Sequence, residues 1–167
     1  MPKNDLKVRL AKPEDWQGIW EIFSQVVASG QTYVYDPATT SKQAKKLWLN
    51  PTADARTYVM LDKEKIVGTY LLKPNQIGLG SHVANAGFMI HPDTQGQGLG
   101  QLLAEHCLDQ ARELGYKAMQ FNFVIESNHG AIHLWEKLGF EIVGTLPKVY
   151  RHAQQGLVDA YVMHRFL

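Results

Sequence analysis

The sequence predicts an α/β (α+β) fold: a single mixed, mostly antiparallel sheet with a central β-α-β unit and helices on both faces. Two observations lead to this prediction. Strand and helix patterns follow one another in the order β-α-α-β-β-β-α-β-α-β-β along the 167 residues. An early hairpin requires antiparallel strands, whereas the later strand–helix–strand crossover requires a parallel pair. A chain of this length suits one domain, which we assign to residues 1–167.

The N-terminal half contains a strand, two helices and a hairpin. A strand at 8–12 precedes a helix that begins near Pro13, ends at Gly30 and carries Trp16, Ile19, Trp20, Phe23, Val26 and Val27 at helical spacing. Segment 30–40 lacks periodicity and reads as a loop. Thr40 or Ser41 caps a second helix with Ala44, Leu47 and Trp48, which Asn50-Pro51 stops. Strands 56–61 and 66–72 form the hairpin.

The C-terminal half alternates strands and helices. Strand 83–90 leads through a glycine cluster into a helix with Leu99, Leu102, Leu103, His106, Ala111 and Leu114 on one stripe and Gly115 after its end. Strand 117–125 and helix 128–138 follow, and strands 140–144 and 158–165 close the chain. Cys107 lies near the helical stripe and reads as a core residue.

Composition excludes several classes of protein. The net charge of +1 gives no electrostatic case for nucleic acid or an anionic membrane surface. A single cysteine cannot form an internal disulfide. The N-terminus has no apolar stretch of signal-peptide length, and no segment is long and apolar enough to span a bilayer. We therefore expect a cytoplasmic protein.

The most informative stretch is HPDTQGQGLG, which begins at His91. Gly96, Gly98 and Gly100 stand directly before a helix with no acidic residue at its start. Bare amides at a helix N-terminus bind anions, and glycine lets a phosphate approach the backbone closely. The spacing matches neither GxxxxGK[ST] nor GxGxxG, so a P-loop and a dinucleotide fingerprint are excluded. The alternative is a flexible turn before a glycine-tolerant helix.

The glycine loop and its flanks resemble the GCN5-related N-acetyltransferases. QGQGLG is similar to the Q/R-x-x-G-x-G/A loop of that family, and NHGAIHLWEKLGFEIVGT to its N-x-x-A-x-x-L-Y-E-K-x-G-F helix and strand. The order of elements resembles the family along the whole chain. The resemblance implies acetyl-CoA as co-substrate and no metal. It also implies cofactor contacts from the loop, the preceding strand and the following helix: Phe88, Met89, Ile90, Gln95, Gly96, Gln97, Gly98, Leu99, Gly100, Asn128 and Trp135.

Two asparagines stand at unusual places in strands. On strand 117–125 alternation places Gln120 and Asn122 on one face and Met119, Phe121, Phe123 and Ile125 on the other. Asn85 lies among small apolar residues of strand 83–90. Each asparagine either satisfies a local backbone irregularity or points into the acceptor pocket. NAGFMI and FNFVIESN resemble the branch that acetylates azetidine-2-carboxylate and other proline analogues, which implies that Asn85 and Asn122 bind and orient the substrate.

Several residues are candidates for proton transfer or metal binding. The family tyrosine that protonates the departing thiolate is replaced by Trp135, whose indole cannot supply a proton; Tyr150 or water is the substitute. Glu126 and His91 are candidate bases, although surface placement is favoured for both. His129 and His133 have metal-chelating spacing without a third ligand, so we expect no metal. Tyr33 and Tyr35 either line the acceptor pocket or pack as ordinary aromatics.

The sequence thus predicts an acetyl-CoA-dependent N-acetyltransferase with Asn85 and Asn122 as catalytic residues. Its acceptor would be the amine of a small molecule, an amino acid or an amino-acid-like toxin, which attacks in a ternary complex. The alternatives are acetylation of a protein lysine or N-terminus, a catalytically silent sensor of coenzyme A, and a generic α/β binding domain. Family members are often dimers, so a homodimer is expected, although no stretch of sequence marks an interface.

Overall fold

Seven strands form one sheet in the computed structural model, which describes residues 6–167. The spatial order is β1-β2-β3-β4-β5-β7-β6. The strands are β1 Leu6–Leu10, β2 Arg56–Asp62, β3 Lys65–Pro74, β4 Val83–Ile90, β5 Ala118–Ile125, β6 Glu141–His152 and β7 Gly156–Phe166. Among the described strands β4 and β5 alone pair in parallel. The predicted mixed, mostly antiparallel sheet is confirmed.

Four helices cover the two faces of the sheet: α1 Trp16–Ala28, α2 Ser41–Trp48, α3 Leu99–Glu113 and α4 His129–Lys137. Leu71 and Met89 pack with α1 and α2, whereas their neighbours Tyr70 and Phe88 pack with α3 and α4. Successive strand residues point to opposite faces, so the two helix pairs lie on opposite sides, as predicted. Cys107 lies on α3 and is fully buried, and burial raises the pKa of its thiol.

The helix boundaries follow from local chemistry. The Thr40 hydroxyl accepts a hydrogen bond from the Gln43 amide at 3.4 Å, which caps α2. The Asn128 side chain accepts one from the Ala131 amide at 3.3 Å and caps α4 in the same way. After α3, Gly115 has a φ of +85°, the left-handed conformation that terminates helices.

The final hairpin is longer than the sequence predicts. We expected strands at 140–144 and 158–165, but β6 continues to His152 and β7 begins at Gly156. The pairing of β6 with β7 shifts between Leu146 and Tyr150, and Lys148 within this bulge has a φ of +53°. A bulge adds a residue to one strand and breaks the alternation by which strands are recognised in a sequence.

The feature of the fold that creates a site is the separation of β4 from β5. The two strands pair at Val83–Ala118 and Ala84–Met119 and at no later position. Beyond Ala84 the facing edges diverge, which leaves the backbone of β4 open along its C-terminal half. The glycine loop begins where β4 ends, so the opening leads directly to the N-terminus of α3.

Candidate active site

The glycine loop presents bare amides to open space. Gly96 and Gly98 have φ of +76° and +78°, and Gly98 is the N-cap of α3 without any side chain of the described chain capping the helix. A Cβ built on either glycine would have no heavy atom of residues 6–167 within 4 Å. The left-handed backbone favours glycine here, and the space it leaves suits an anionic group held by the helix amides.

The residues that flank the two glycines differ in whether they line the cleft. Gln95, Leu99 and Gly100 line the same cleft as the two glycines, whereas Gln97 is absent from the lining. The Leu99 side chain also packs into the core under α3. The structure therefore brings together all the expected loop residues except Gln97.

The turn before the loop is organised by His91. Its Nδ1 accepts a hydrogen bond from the Asp93 amide at 3.3 Å, and its carbonyl accepts one from the Thr94 amide at 2.9 Å. The expected surface placement of His91 is wrong, because the residue is 2% exposed. Its Nε2 has no hydrogen-bond partner among residues 6–167, and the nearest carboxylate oxygen, on Glu21, is 3.9 Å away. His91 lies outside the cleft lining and shapes the turn.

The open edge of β4 is formed by alternate residues. The His91 amide donates to the Val67 carbonyl and the Asn75 amide donates to the Val83 carbonyl, so the odd-numbered residues of β4 bond to β3. Backbone groups of even-numbered residues therefore point toward the gap. Phe88 and Ile90 present their N–H groups there, whereas Met89 turns its backbone to β3 and buries its side chain. The expected backbone contacts to the pantetheine arm are thus available at Phe88 and Ile90.

The loop between α1 and α2 is fixed over β4. The Tyr33 hydroxyl donates a hydrogen bond to the Phe88 carbonyl at 2.9 Å, and the Tyr33 ring stacks on Tyr35 at 5.7 Å. Burial raises the pKa of the Tyr33 hydroxyl, which therefore stays a donor at working pH. The Tyr150 hydroxyl donates to the Tyr33 carbonyl at 3.1 Å. Both tyrosines of the loop line the cleft.

An amide network joins the two asparagines. Asn85 Nδ2 donates to the Gln120 carbonyl at 2.9 Å, across the gap between β4 and β5. The Gln120 side chain donates to Asn122 Oδ1 at 2.9 Å, and Asn122 Nδ2 donates to Asn75 Oδ1 at 2.7 Å. Asn85 therefore fills the first of its two predicted roles, which is hydrogen bonding at a backbone irregularity. Both asparagines also line the cleft, so the two interpretations are compatible.

A bulge in β5 corrects the predicted faces of that strand. Its pairing with β7 shifts between Phe121 and Val124. Phe121 and Val124 share the core under α3 and α4, while Phe123 and Ile125 pack in a separate cluster with Tyr150 and Val158. The prediction that Met119, Phe121, Phe123 and Ile125 share one face is therefore wrong for its last two members. The extra residue moves them to the side of Gln120 and Asn122.

Trp135 belongs to an aromatic cluster at the floor of the cleft. Its ring centroid lies 4.5 Å from Phe121, 5.0 Å from Phe88 and 5.8 Å from Phe140, and the residue is 8% exposed. Asn128 lies at the start of the same helix and lines the cleft while it caps the helix. Both residues are thus placed beside the gap between β4 and β5.

The remaining candidates for proton transfer are occupied elsewhere. A carboxylate oxygen of Glu126 accepts a hydrogen bond from the Asp159 amide at 3.2 Å, and the residue is half-buried. Tyr150 donates to the Tyr33 carbonyl and lies outside the lining. Between residues 6 and 167 no three His, Cys, Asp or Glu side chains come together as metal ligands. No helix in that range is long and apolar enough to cross a membrane.

These elements enclose one cleft of about 1160 Å³. It runs from the glycine loop along the gap between β4 and β5 to the tyrosines of the α1–α2 loop. Lys73, at the end of β3, was missed in the sequence and is the only charged residue among the described residues that line the cleft. A lysine near a strand end gives no sequence signal, because its position opposite Asn85 depends on the register of β3 and β4.

Comparison with known proteins gives this cleft its context. The profile of the acetyltransferase (GNAT) family matches residues 16–140. The chain belongs to this family. A GCN5-related N-acetyltransferase from Kribbella flavida shares its fold with a TM-score of 0.93 and 41% identity over 98% of each chain. Among curated relatives, N-acetyltransferase aca1 of Schizosaccharomyces pombe is 31% identical over 81% of this chain and 72% of its own length. L-amino acid N-acyltransferase MnaT of Escherichia coli is 27% identical over 86% of this chain and 84% of its own length.

The GNAT chain is an N-acetyltransferase, and acetyl-CoA is its co-substrate. The same fold occurs in a Salmonella typhimurium acetyltransferase solved with acetyl-CoA, with a TM-score of 0.81 and 22% identity over 98% of this chain and 95% of that one. The geometry fits such a ligand. The open space beside Gly96 and Gly98 suits the pyrophosphate, and the free edge of β4 at Phe88 and Ile90 suits the amides of the pantetheine arm.

Proposed function

We propose that the acceptor is the amine of a small amino acid or amino-acid-like toxin, as in the azetidine-2-carboxylate branch, and that Asn85 and Asn122 bind it. The observation that carries this proposal is the chemistry of the acceptor end of the cleft. Two tyrosines and two hydrogen-bonded asparagines line it, and no Asp or Glu of the described chain does. Polyamines and aminoglycosides carry several positive charges, which acidic side chains would bind. An amine with few positive charges suits walls that carry no acidic side chain.

The fixed loop over β4 supports a small acceptor. Hydrogen bonds from Tyr33 to Phe88, from Tyr150 to Tyr33 and from the Ala153 amide to the Gly30 carbonyl hold this loop at three points. A protein lysine or N-terminus, the alternative acceptor, needs an open channel for the polypeptide chain attached to the reacting residue. MnaT is named as an L-amino acid N-acyltransferase, which agrees with a small acceptor.

Acetyl transfer requires little from the protein beyond the positioning of the amine and the thioester. Acetyl-CoA supplies a thioester whose carbonyl carbon accepts the lone pair of a neutral amine. In the proposal, Asn85 and Asn122 orient that amine, and an edge amide of β4 at Phe88 or Ile90 donates to the oxygen that becomes negative. A positioned amide of this kind contributes about 2.7–4 kcal/mol to catalysis. The amine attacks in its neutral form, and the proton that its nitrogen loses on acylation leaves to water.

The departing thiolate also needs little help. A thiol has a pKa of about 8.5, so its anion leaves without obligatory protonation. Loss of a general acid costs about 10²–10⁴-fold, and this range is an upper bound for such a leaving group. Trp135 in place of the family tyrosine is therefore compatible with catalysis.

The test is release of free thiol from acetyl-CoA across a panel of amines. The panel holds α-amino acids, azetidine-2-carboxylate, phosphinothricin, a polyamine, an aminoglycoside and a lysine peptide. The expected result is turnover of the α-amino acids, azetidine-2-carboxylate or phosphinothricin, with little turnover of the polyamine, the aminoglycoside and the lysine peptide. Preferential turnover of the peptide would overturn the proposal.

A further inference from the structure

Lys73 is a cation without a partner inside the cleft. It is half-buried at the end of β3 and lines the cleft as its only charged residue within residues 6–167. Its ammonium group forms neither an ion pair nor a side-chain hydrogen bond with any part of the chain that the structure describes. A partly buried charge loses hydration, and proteins normally compensate this loss with a partner of opposite charge. An uncompensated cation in a cleft therefore points to an anionic group on the ligand.

The position of Lys73 shows which end of the ligand it would meet. Lys73 stands directly opposite Asn85 in the antiparallel pair of β3 and β4. The odd-numbered residues of β4 make the hydrogen bonds to β3, so this is a hydrogen-bonded pair with Cα atoms about 5.5 Å apart. Leu71, two residues earlier on β3, packs toward α1 and α2, so Lys73 lies on the same face as Asn85 and the Tyr33 loop. This is the acceptor end of the cleft.

The two side chains offer complementary chemistry at this short distance. Asn85 uses its Nδ2 to bind the Gln120 carbonyl, which leaves its Oδ1 as an acceptor for a ligand N–H. Lys73 donates only. A ligand that carries an amine and a carboxylate on the same carbon atom satisfies both groups at once. The glycine loop lies at the opposite end of β4, so the phosphates of the co-substrate do not compete for Lys73.

We propose that Lys73 binds the carboxylate of the acceptor and thereby selects amines that carry an adjacent carboxylate. The inference rests on the proposed function, to which it adds the residue that recognises the carboxylate of an α-amino or α-imino acid. Lys73 acts as a specificity residue and takes no part in bond making.

The experiment compares each acid with its amide. The probes are L-leucine with leucinamide and azetidine-2-carboxylate with azetidine-2-carboxamide, each measured as kcat/KM by thiol release. The amide has the less basic amine, so more of it is neutral at a given pH. A preference for the acid therefore comes from binding and not from the reactivity of the amine. We expect wild-type enzyme to prefer each acid at least tenfold.

Substitutions of Lys73 measure the contribution of its positive charge. Lys73→Met keeps the length of the side chain and removes the ammonium group; we expect it to lower kcat/KM for the acids by about 10- to 100-fold. The amides should change less than threefold and the KM for acetyl-CoA less than twofold. Lys73→Arg should keep the preference for acids. Lys65→Met is the matched control, since Lys65 begins the same strand outside the cleft, and it should leave all values unchanged.

The outcomes separate this inference from the proposed function. Equal turnover of acids and amides by wild-type enzyme, or an equal loss of both in Lys73→Met, overturns the role of Lys73 and leaves the small-amine acceptor intact. Turnover of a peptide amine alone, with none of the four small probes used, overturns the proposed function itself. A loss confined to the acids in Lys73→Met supports both.

Discussion

The Tyr33 hydroxyl donates a hydrogen bond to the carbonyl oxygen of Phe88 at 2.9 Å, and this contact joins the α1–α2 loop to β4. Gly87 makes the contact possible. A Cβ at Gly87 would lie 3.0 Å from the Tyr33 oxygen and 3.3 Å from the Trp48 ring, which is tighter than an ordinary van der Waals contact. The loop, β4 and α2 therefore depend on one another for their positions.

Tyr33→Phe should loosen the loop without disturbing the fold. One hydrogen bond contributes about 1 kcal/mol, which corresponds to a fall in Tm of about 2–4 °C in a protein of this size. The acceptor KM should rise several-fold, because the wall of its site becomes mobile, while acetyl-CoA affinity stays nearly constant. Thermal unfolding and steady-state kinetics measure both effects.

Tyr35→Phe is the control for this substitution. The Tyr35 ring stacks on Tyr33 and Phe23, but its hydroxyl makes no hydrogen bond with residues 6–167. We expect its Tm to stay within about 1 °C of wild type. Equal effects of the two substitutions would show that the Tyr33–Phe88 hydrogen bond has no special role.

Gly98→Glu should abolish binding of acetyl-CoA. The new carboxylate would occupy the open space at the N-terminus of α3 and repel the phosphates there. Gly115→Glu is the matched control, because Gly115 has a similar φ of +85° at the other end of the same helix and equally open surroundings within the described chain. Calorimetric titration with acetyl-CoA should show a loss of more than a hundredfold for the first variant and less than threefold for the second. A comparable loss in both would indicate helix strain and not a phosphate site.

Much of the fold could be predicted because its signals are local. The caps at Thr40 and Asn128 and the glycine after α3 each follow from one or two residues. The errors share a different cause. The bulge at Asn122–Phe123 depends on how β5 pairs with β7, a relation between distant segments that alternation cannot reveal.

Prediction of the candidate site was limited in the same way to local signals. The glycine loop is a local motif and could be predicted as such. Lys73 was missed, and His91 was placed on the surface although it is buried, because both positions depend on the packing of β3, β4 and α1. Polar residues in or next to strands carry no sequence mark that separates an exposed position from a buried one or from a cleft.

Asp15→Asn should destabilise the protein in a pH-dependent manner. Arg9 donates two hydrogen bonds to the Asp15 carboxylate, at 2.7 and 2.9 Å, and this contact lowers the pKa of Asp15. A carboxyl group whose pKa is lower in the folded state stabilises the fold above its unfolded pKa of about 3.9, and this stabilisation disappears as the pH falls through the folded value. The variant should lose about 1 kcal/mol at pH 7.

Urea denaturation at pH 7, 5 and 3 measures this difference. The gap between wild type and Asp15→Asn should narrow toward pH 3. Asp109→Asn removes an exposed partner of Arg112 and should change stability by less than about 0.5 kcal/mol at any of these values. A gap for Asp15→Asn that stays constant with pH would mean that packing, and not the carboxylate charge, is responsible.

Asn122→Ala should impair use of the acceptor and leave acetyl-CoA affinity near normal. Asn122 is exposed toward the cleft and connects Gln120 to Asn75, so its loss removes a polar contact with little cost in packing. We expect about a tenfold rise in acceptor KM, as for one hydrogen bond to a polar ligand. Asn75→Ala keeps Asn122 but removes its hydrogen-bond acceptor, and it should raise the acceptor KM by a smaller factor. Equal losses for acceptor and acetyl-CoA would place Asn122 in the co-substrate half of the cleft.

Trp135→Tyr tests whether the chain lacks a proton donor. Trp135 packs within 4.5–5.8 Å of three phenylalanine rings, so a smaller residue should cost about 1–3 kcal/mol of stability. Trp135→Phe loses the same packing without adding a hydroxyl, so the ratio of kcat between the two variants reports the hydroxyl alone. We expect a ratio within tenfold, because a thiolate leaves without obligatory protonation. A ratio of a hundred or more in favour of tyrosine would show that thiolate protonation limits the wild-type enzyme and that Trp135 holds its rate down.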